Sequence, residues 1–415
     1  MVSALPPGGA RAVARCDMLG VAPFSDMEGG LYRGYLTPAY AAAQDALALW
    51  MAQAGMVVRR DAAANLIGRY DGGRPGAPAL LIGSHLDSVR DGGRYDGPLG
   101  IMLGVEAVAA LHQSGKRLPF PIEVIAFGDE EGSRFPSAML TSRAVAGTLV
   151  PEALDIVDAD GVPLSQAGVS VPDYLAAARP PGTTLAYLEA HIEQGPALEA
   201  AGLAVGTVTG IAAQLRYQAV VTGMAGHAGT SAMSLRRDSL AGAAEMILAI
   251  ETIARADASD LVATVGRIAG LPGAPNVIAG EVRFSIDIRS GDEARRDRAA
   301  DAILDALVAI ADRRALDVDI QRVHDLPASP CDPALMDLMD AATAAAGHPV
   351  RRLVSGAGHD AMVMAALCPT AMIFIRCKGG ISHHPAEHVD PADADAALKV
   401  MLGFIDRLGA TFDPA

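Results

Sequence analysis

Two short apolar runs, separated by a loop and a helix, constrain the fold of this chain most strongly. Residues 79–84 (ALLIGS) and 121–127 (PIEVIAF) are almost continuously apolar, as is typical of strands buried on both faces of a parallel sheet. Between them lie a glycine-rich loop over 91–100 and an apolar helical stretch over 101–113. Strand, loop, helix and strand form a βαβ unit, which predicts an α/β domain with a mostly parallel sheet.

The pattern changes near residue 211, where polar and apolar residues begin to alternate. From there the sequence predicts strands and helices in the order β-α-β-β-α-β, which is the order of a small ferredoxin-like domain. The run over 371–377 (AMIFIRC) is again almost continuously apolar, like the two buried strands of the α/β domain. We therefore predict a discontinuous α/β domain over 1–211 and 328–415, with an α+β domain over 212–327 inserted into it.

The N-terminal stretch and the composition give further expectations. The first 35 residues are rich in glycine and proline and are expected to be irregular. The 33 basic residues against 48 acidic ones give a net charge of −15, without the basic run of a nucleic-acid-binding protein. Only three of the basic residues are lysines, so an anion site here would be built from arginine.

The expected location of the protein follows from its cysteines and apolar segments. The four cysteines are scattered without CxxC spacing, which favours reduced thiols over disulfides or a zinc knuckle. The sequence contains neither a signal-peptide pattern nor an apolar run long enough to span a membrane. We expect a soluble, cytoplasmic protein without nucleic-acid or membrane partners.

Potential metal ligands follow several of the predicted strands. His85 ends ALLIGSH, His191 ends LAYLEAH, His384 follows AMIFIRCKGGISH, and the acids of 129–131 follow PIEVIAFG. Each one alone is as well explained as a surface polar group. Because parallel strands deliver their carboxyl ends to one edge of a sheet, the set together predicts a metal site there.

The carboxylates suggest how such a site would be built. Asp87, two residues after His85, is placed to hold the second ring nitrogen of that histidine. Asp96 lies in the glycine-rich loop, and its two oxygens could bridge two metals, although an Asp-Gly pair alone is a common turn. Of the adjacent Glu130 and Glu131, one could bind metal while the other accepts a proton from water. The alternative is a solvated helix N-terminus.

These elements occur together in one order that resembles a known family. They are HLD, GGRYDG, GDEEGSRF, EAHIEQGP, AGHAGT, SGAGHDAM and GGISHHPAEH. The chain resembles, over about residues 30–408, the hydantoinase/carbamoylase branch of the dinuclear-zinc aminoacylase and peptidase superfamily. That branch contains allantoate amidohydrolase, N-carbamoyl-L-amino-acid hydrolase and β-ureidopropionase.

The resemblance implies a cofactor of two divalent metal ions per subunit, zinc or manganese, with cobalt as a further option. It implies that His85, Asp96 and His191 hold one metal. The second would be held by Asp96, Glu131 and either His383 or His384. We favour His384, because it directly precedes Pro-Ala-Glu. Glu130 would be the general base and later the acid, and Asp87 would assist it.

The resemblance also implies roles for the inserted domain, which would act as a lid and as the interface of a homodimer. His227 would reach the partner subunit's site and stabilise the developing oxyanion. Asn276 and Arg289 would bind the substrate carboxylate. Further candidates for the same pocket are Gln194, Arg216, Gly358 and His359.

The implied reaction is hydrolysis of a ureido C–N bond in a small carboxylate-bearing substrate. We favour allantoate, which would yield ureidoglycine, ammonia and carbon dioxide. The alternative is an N-carbamoyl-L-amino acid, as in L-carbamoylases and β-ureidopropionases. His191, His227 and Arg289 argue against an aminoacylase or peptidase. A non-catalytic metal-binding protein would be expected to have lost Glu130 or a ligand, and none is missing.

Overall fold

A computed structural model describes residues 5–412 and separates the chain into two units. The first contains the described residues up to Thr209, the segment Cys331–Leu353, and the described residues from Gly358 onward. The second contains Gly210–Pro330 and Val354–Ala357. The division falls close to the predicted one, except that the short segment Val354–Ala357 joins the second unit.

Helices and strands alternate along both units. The helices are α1 (Gly9–Leu19), α2 (Pro38–Gln53), α3 (Pro98–Gln113), α4 (Leu140–Ala146), α5 (Val171–Ala176), α6 (Ala197–Ala200), α7 (Ser239–Ala256), α8 (Glu293–Arg313), α9 (Pro333–Ala345), α10 (Asp360–Met364) and α11 (Pro391–Thr411). The strands are β1 (Val57–Arg60), β2 (Leu66–Tyr70), β3 (Ala79–His85), β4 (Ile122–Phe127), β5 (Thr184–Ile192), β6 (Val205–Ile211), β7 (Ala213–Thr222), β8 (Gly226–His227), β9 (Val262–Thr264), β10 (Ile268–Leu271), β11 (Val277–Ile278), β12 (Glu281–Ser290), β13 (Asp317–Leu326), β14 (Ser329–Pro330), β15 (Arg352–Ser355) and β16 (Thr370–Ile375).

The large sheet has a parallel centre and antiparallel flanks. Its strand order is β1-β2-β4-β3-β5-β16-β6-β14, and β15 also pairs with β6. The neighbours β4, β3, β5 and β16 run parallel to one another, whereas β1, β2 and β6 pair antiparallel. The predicted mixed α/β fold with a mostly parallel central sheet is therefore confirmed, and strands β3, β4 and β16 are buried throughout, as their continuously apolar sequences require.

The start of helix α3 packs very closely against the large sheet. Its helical start is set by Pro98 in the first turn and by Gly97, whose φ of 80° favours glycine. A Cβ atom on Gly100 would lie 2.1 Å from the carbonyl oxygen of Ala190 in β5. This close packing fixes the start of α3, and with it the preceding loop that carries Asp96, against the ends of β3 and β5.

The expectation that the first 35 residues are irregular is wrong for α1. The apolar side chains of Ala12, Cys16 and Leu19 are fully buried. On its polar side, Arg15 Nη1 donates to the buried carboxylate of Glu106 in α3 at 2.7 Å. The helix has no side-chain N-cap, so packing against the core, which local sequence patterns do not show, stabilises it.

The second unit has its own sheet and core. The sheet order is β10-β12-β7-β13, with β9 also paired to β12, and all pairs are antiparallel. Helices α7 and α8 pack on one face against a separate apolar core. The elements include the expected β-α-β-β-α-β order, but the strand expected after α7 is divided into β9 and β10, and β8 and β11 are additional. The opposite face carries the alternate, polar residues of β7 and β12. Strands β8 and β11 form a separate two-stranded sheet.

Within residues 5–412, the chain contains no helix that combines the length and the apolar character needed to cross a bilayer.

Candidate metal centre

The potential ligands of the first unit meet at one edge of the large sheet. His85 is the last residue of β3, and His191 lies at the end of β5. Glu130 and Glu131 follow β4, and the segment containing His383 follows β16. Because β4, β3, β5 and β16 are parallel neighbours, their carboxyl ends converge. The predicted convergence of four separate segments is therefore confirmed.

Asp96 lies at the centre of this group, with its two oxygens facing different partners. Asp96 Oδ1 is 3.1 Å from Nε2 of His191 and 3.6 Å from Nε2 of His85. Asp96 Oδ2 is 3.3 Å from Nε2 of His383, which in turn is 3.4 Å from Oε1 of Glu131. One carboxylate therefore belongs to two adjacent sets of metal-ligating atoms.

These distances suit two metal ions. Two ligand atoms that bind one tetrahedral ion at 2.0–2.1 Å lie about 3.4 Å apart, which matches the spacings around Asp96. In addition, Asp96 Oδ1 and His191 Nε2 are buried and make no hydrogen bond within the described part of the chain. Buried polar atoms without partners are costly, and a shared cation would satisfy both. The residues present thus fit a dinuclear metal site.

The histidine of the second set is His383, and the expectation of His384 is corrected. Both histidines are exposed, but Nδ1 of His384 accepts a hydrogen bond from the backbone N–H of Ala386 at 3.0 Å. His383 has a left-handed backbone conformation, with a φ of 55°, and adjacent side chains in such a turn point in different directions. The carboxylates of Asp96 and Glu131 raise the pKa of His383 to about 10.

Asp87 also differs from expectation, because its carboxylate does not hold His85. The Nδ1 atom of His85 lies 3.1 Å from the backbone oxygen of Asp87, but 3.8 Å from the carboxylate. The carboxylate instead accepts the backbone N–H groups of Glu130 and Glu131, at 3.2 and 3.3 Å. Asp87 therefore orients the acidic segment and, through its backbone, the His85 ring.

Glu130 lies beside the ligands in a buried, acidic environment. Its Oε2 atom is 3.9 Å from Nε2 of His85. Burial raises the pKa of Glu130 well above its usual range, and the negative charges of Asp360, Glu131 and Asp87 raise it further. A carboxyl group in this position is suited to accept and return a proton. Burial and the charge of Asp87 likewise raise the pKa of neighbouring Asp129 to about 8.

Three side chains that hold Asp96 were assigned no such role from the sequence. Glu387 is buried, and its Oε1 accepts the backbone N–H groups of Tyr95 and Asp96 at 2.7 and 3.1 Å. Ser382 Oγ and Gln194 Nε2 donate to Asp96 Oδ2 at 2.5 and 2.8 Å. All three residues lie within the motifs EAHIEQGP and GGISHHPAEH, but the sequence indicates a site role only for Gln194, as a substrate-binding candidate.

The other predicted substrate residues of the first unit lie around His191. His359 is buried, with its ring centroid 4.3 Å from that of His191, and burial holds the pKa of His359 well below its usual range. Gly358 precedes it, and a Cβ there would lie 2.7 Å from the side chain of Met139. The Oε1 atom of Gln194 is buried and makes no hydrogen bond within residues 5–412, so it is free to accept one from a ligand.

The predicted residues of the second unit form two groups. His227 in β8 is exposed, pairs with Val277 of β11, and is thereby placed next to Asn276. Arg216 in β7 and Arg289 in β12 line a cavity of about 480 Å³ on the polar face of their sheet. Both arginines bind Asp287, a residue that the sequence analysis did not single out.

Comparisons with known proteins place the chain in a family. Residues 81–407 match the model of peptidase family M20/M25/M40. The N-carbamoyl-L-amino acid amidohydrolase of Geobacillus stearothermophilus is 44% identical over 385 residues, which cover 92% of this chain and 94% of that protein. Allantoate deiminase 1 of Glycine max is 39% identical over 431 residues, with 96% and 89% covered. The crystal structure of a hydantoinase/carbamoylase family amidase from Burkholderia ambifaria superposes with a TM-score of 0.89 at 38% identity and covers 99% of each chain. The chain therefore belongs to peptidase family M20/M25/M40, in the hydantoinase/carbamoylase branch that its motifs indicated.

Proposed function

We propose that this chain hydrolyses the ureido C–N bond of a small carboxylate-bearing substrate. The observation that carries the proposal is Asp96, which contacts two sets of metal-ligating atoms beside the buried carboxyl group of Glu130. The first candidate substrate is allantoate, whose hydrolysis gives ureidoglycine, ammonia and carbon dioxide. The second is an N-carbamoyl-L-amino acid, which the 44% identity to the Geobacillus stearothermophilus amidohydrolase favours.

The proposed ligands of the two metals follow from the distances around Asp96. One ion would be held by His85, Asp96 and His191, and the other by Asp96, Glu131 and His383. Imidazole and carboxylate ligands suit zinc, manganese and cobalt alike. Bound divalent cations of this kind lower the pKa of water and polarise a carbonyl group.

Glu130 would perform the proton transfers. Its buried carboxylate would take one proton from the attacking water as the C–O bond forms, and would return it to the leaving nitrogen as the C–N bond then breaks. Asp87, which accepts the Glu130 and Glu131 backbone N–H groups, would keep these two side chains in place. In this scheme the charge of Glu130 is restored after each turnover.

The second unit would bind the far end of the substrate and assemble the dimer. Arg289 would hold the substrate carboxylate, so that the ureido group is positioned for attack. Asn276 lies beside His227 and not in the cavity that Arg289 lines, so it would reach the substrate together with that histidine. The unit would act as a lid and as the contact of a homodimer. His227 would then stabilise the oxyanion in the partner subunit's site. Its exposure and its hydrogen bond from Gly229 at 3.0 Å are compatible with this role.

Ammonia release tests the proposal. The purified protein is incubated with allantoate and with N-carbamoyl-L-methionine, each with and without a chelator, and its metal content is measured in parallel. We expect release from at least one compound, loss of release with chelator, and recovery on addition of zinc or manganese. Glu130→Gln should retain both metals and lose turnover by about 10²–10⁴-fold. No release from either compound by the metal-loaded protein would overturn the proposed function.

A further inference from the structure

One carboxylate on the polar face of the second unit's sheet accepts four hydrogen bonds from three side chains. Asp287 accepts hydrogen bonds from Arg289, with Nε at 2.7 Å and Nη2 at 3.0 Å. It also accepts from Arg216 Nε and Gln214 Nε2, each at 2.7 Å. In the antiparallel register, Asp287 lies opposite Arg216, and Arg289 lies opposite Gln214. Alternate residues of paired strands share a face, so the four side chains form one cluster.

Within residues 5–412, the hydrogen bonds of Arg289 engage three of the five N–H groups of its guanidinium. Asp287 takes Nε–H and one Nη2–H, and the carbonyl oxygen of Gly356 takes one Nη1–H. A guanidinium has five N–H donors in a fixed plane, so one donor on each Nη atom remains. N–H groups on the two Nη atoms can donate to the two oxygens of a carboxylate.

We propose that Asp287 is a positioning residue, which fixes Arg289 from the side so that the free end of the guanidinium is presented to the substrate carboxylate. The inference rests on the proposed function, in which Arg289 binds that carboxylate. Asp287 itself would not touch the substrate. Arg216, Asp287, Arg289 and Gly356 all line the same cavity, so the free donors have room for a ligand.

The charges of the cluster predict opposite changes in substrate affinity for two possible roles of Asp287. The charges of Asp287, Arg216 and Arg289 sum to +1, which suits one carboxylate. Although partial burial raises the pKa of Asp287, the two arginines lower it overall, so the group is ionised at neutral pH. Removing this negative charge would strengthen the attraction for an anion if only net charge mattered. Removing a clamp that orients Arg289 would instead weaken binding.

The test compares Asp287→Asn with wild type on an N-carbamoyl-L-amino acid and on its carboxamide analogue. The matched control is Asp317→Asn, which breaks an exposed ion pair with Arg237 in the same unit. For the variant we expect the KM for the acid to rise about 10–100-fold, the range for a lost charge-assisted hydrogen bond. We expect kcat, the KM for the carboxamide, the thermal unfolding midpoint and all parameters of the control to stay near wild type.

A second readout is independent of turnover. Calorimetry with metal-free protein measures the Kd of N-carbamoyl-L-methionine, which should rise in Asp287→Asn by a factor similar to that for KM. An unchanged or lower KM and Kd for the acid would overturn the role of Asp287 while leaving the proposed hydrolysis intact. If wild type hydrolyses no ureido compound, the proposed function fails. The Kd comparison then still decides whether Asp287 orients Arg289 toward a carboxylate.

Discussion

The assignment of His383 as a metal ligand is the sharpest prediction, because His384 is a neighbouring residue of the same type. His383 Nε2 lies 3.3 Å from Asp96 and 3.4 Å from Glu131, whereas His384 is bonded to the backbone of Ala386. His383→Ala removes one of three ligands from the second set and none from the first. Loss of even an outer partner costs about 10–100-fold in metal affinity, so loss of a direct ligand should cost at least that much.

The assay is metal content after dialysis against a weak chelator, followed by the turnover of the reloaded protein. We expect two metal ions per subunit in wild type and His384→Ala, and one in His383→Ala, with turnover lost only in His383→Ala. Equal unfolding midpoints of the two metal-free variants would show that neither change disturbs the fold. Two ions in His383→Ala, or a loss confined to His384→Ala, would refute the assignment.

Three further changes test the framework around the site. Glu387→Ala should weaken metal binding about 10–100-fold, because it releases the loop that carries Asp96. Glu387→Gln keeps an acceptor and should bind metal nearly as tightly as wild type in a chelator competition. Equal metal affinities of Glu387→Ala and wild type would contradict this. Glu106→Ala leaves Arg15 buried and unpaired, so urea unfolding should show a loss of about 3–5 kcal/mol, and a loss below about 1 kcal/mol would count against it. Burial would raise the pKa of Glu123, but its partners Arg179 and Arg69 lower it overall. The ionised Glu123 therefore stabilises the fold above its unfolded-state pKa, and this stabilisation is lost as pH falls through the folded-state pKa. Glu123→Gln should therefore flatten the acid side of the stability curve, and an unchanged curve would contradict the assignment.

The strand ends show how far the sequence could predict the site. Continuous apolar runs identified β3, β4 and β16, and parallel pairing then required their following residues to meet at one edge. The residue types at those ends indicated metal ligands. Composition and spacing do not distinguish His383 from His384. The difference between their side-chain directions depends on the backbone turn at His383, which has a φ of 55°.

The side chains that orient the functional groups were harder to predict for one shared physical reason. Asp87, Asp287 and Glu387 each accept N–H groups from a functional segment, and their partners are set by tertiary contacts. Glu387 accepts a hydrogen bond from the backbone N–H of Tyr95, which is 292 residues away in the sequence. Asp287 accepts a hydrogen bond from Arg216, which lies on a different strand and is 71 residues away. A carboxylate in a motif therefore has two possible uses, to bind a ligand or to orient another residue. Residue type is the same in both cases, and the hydrogen-bond partners alone separate them. In the proposed site Asp96 and Glu131 are of the first kind. Asp87 is of the second kind, because its carboxylate accepts the backbone N–H groups of Glu130 and Glu131 and does not hold its sequence neighbour His85.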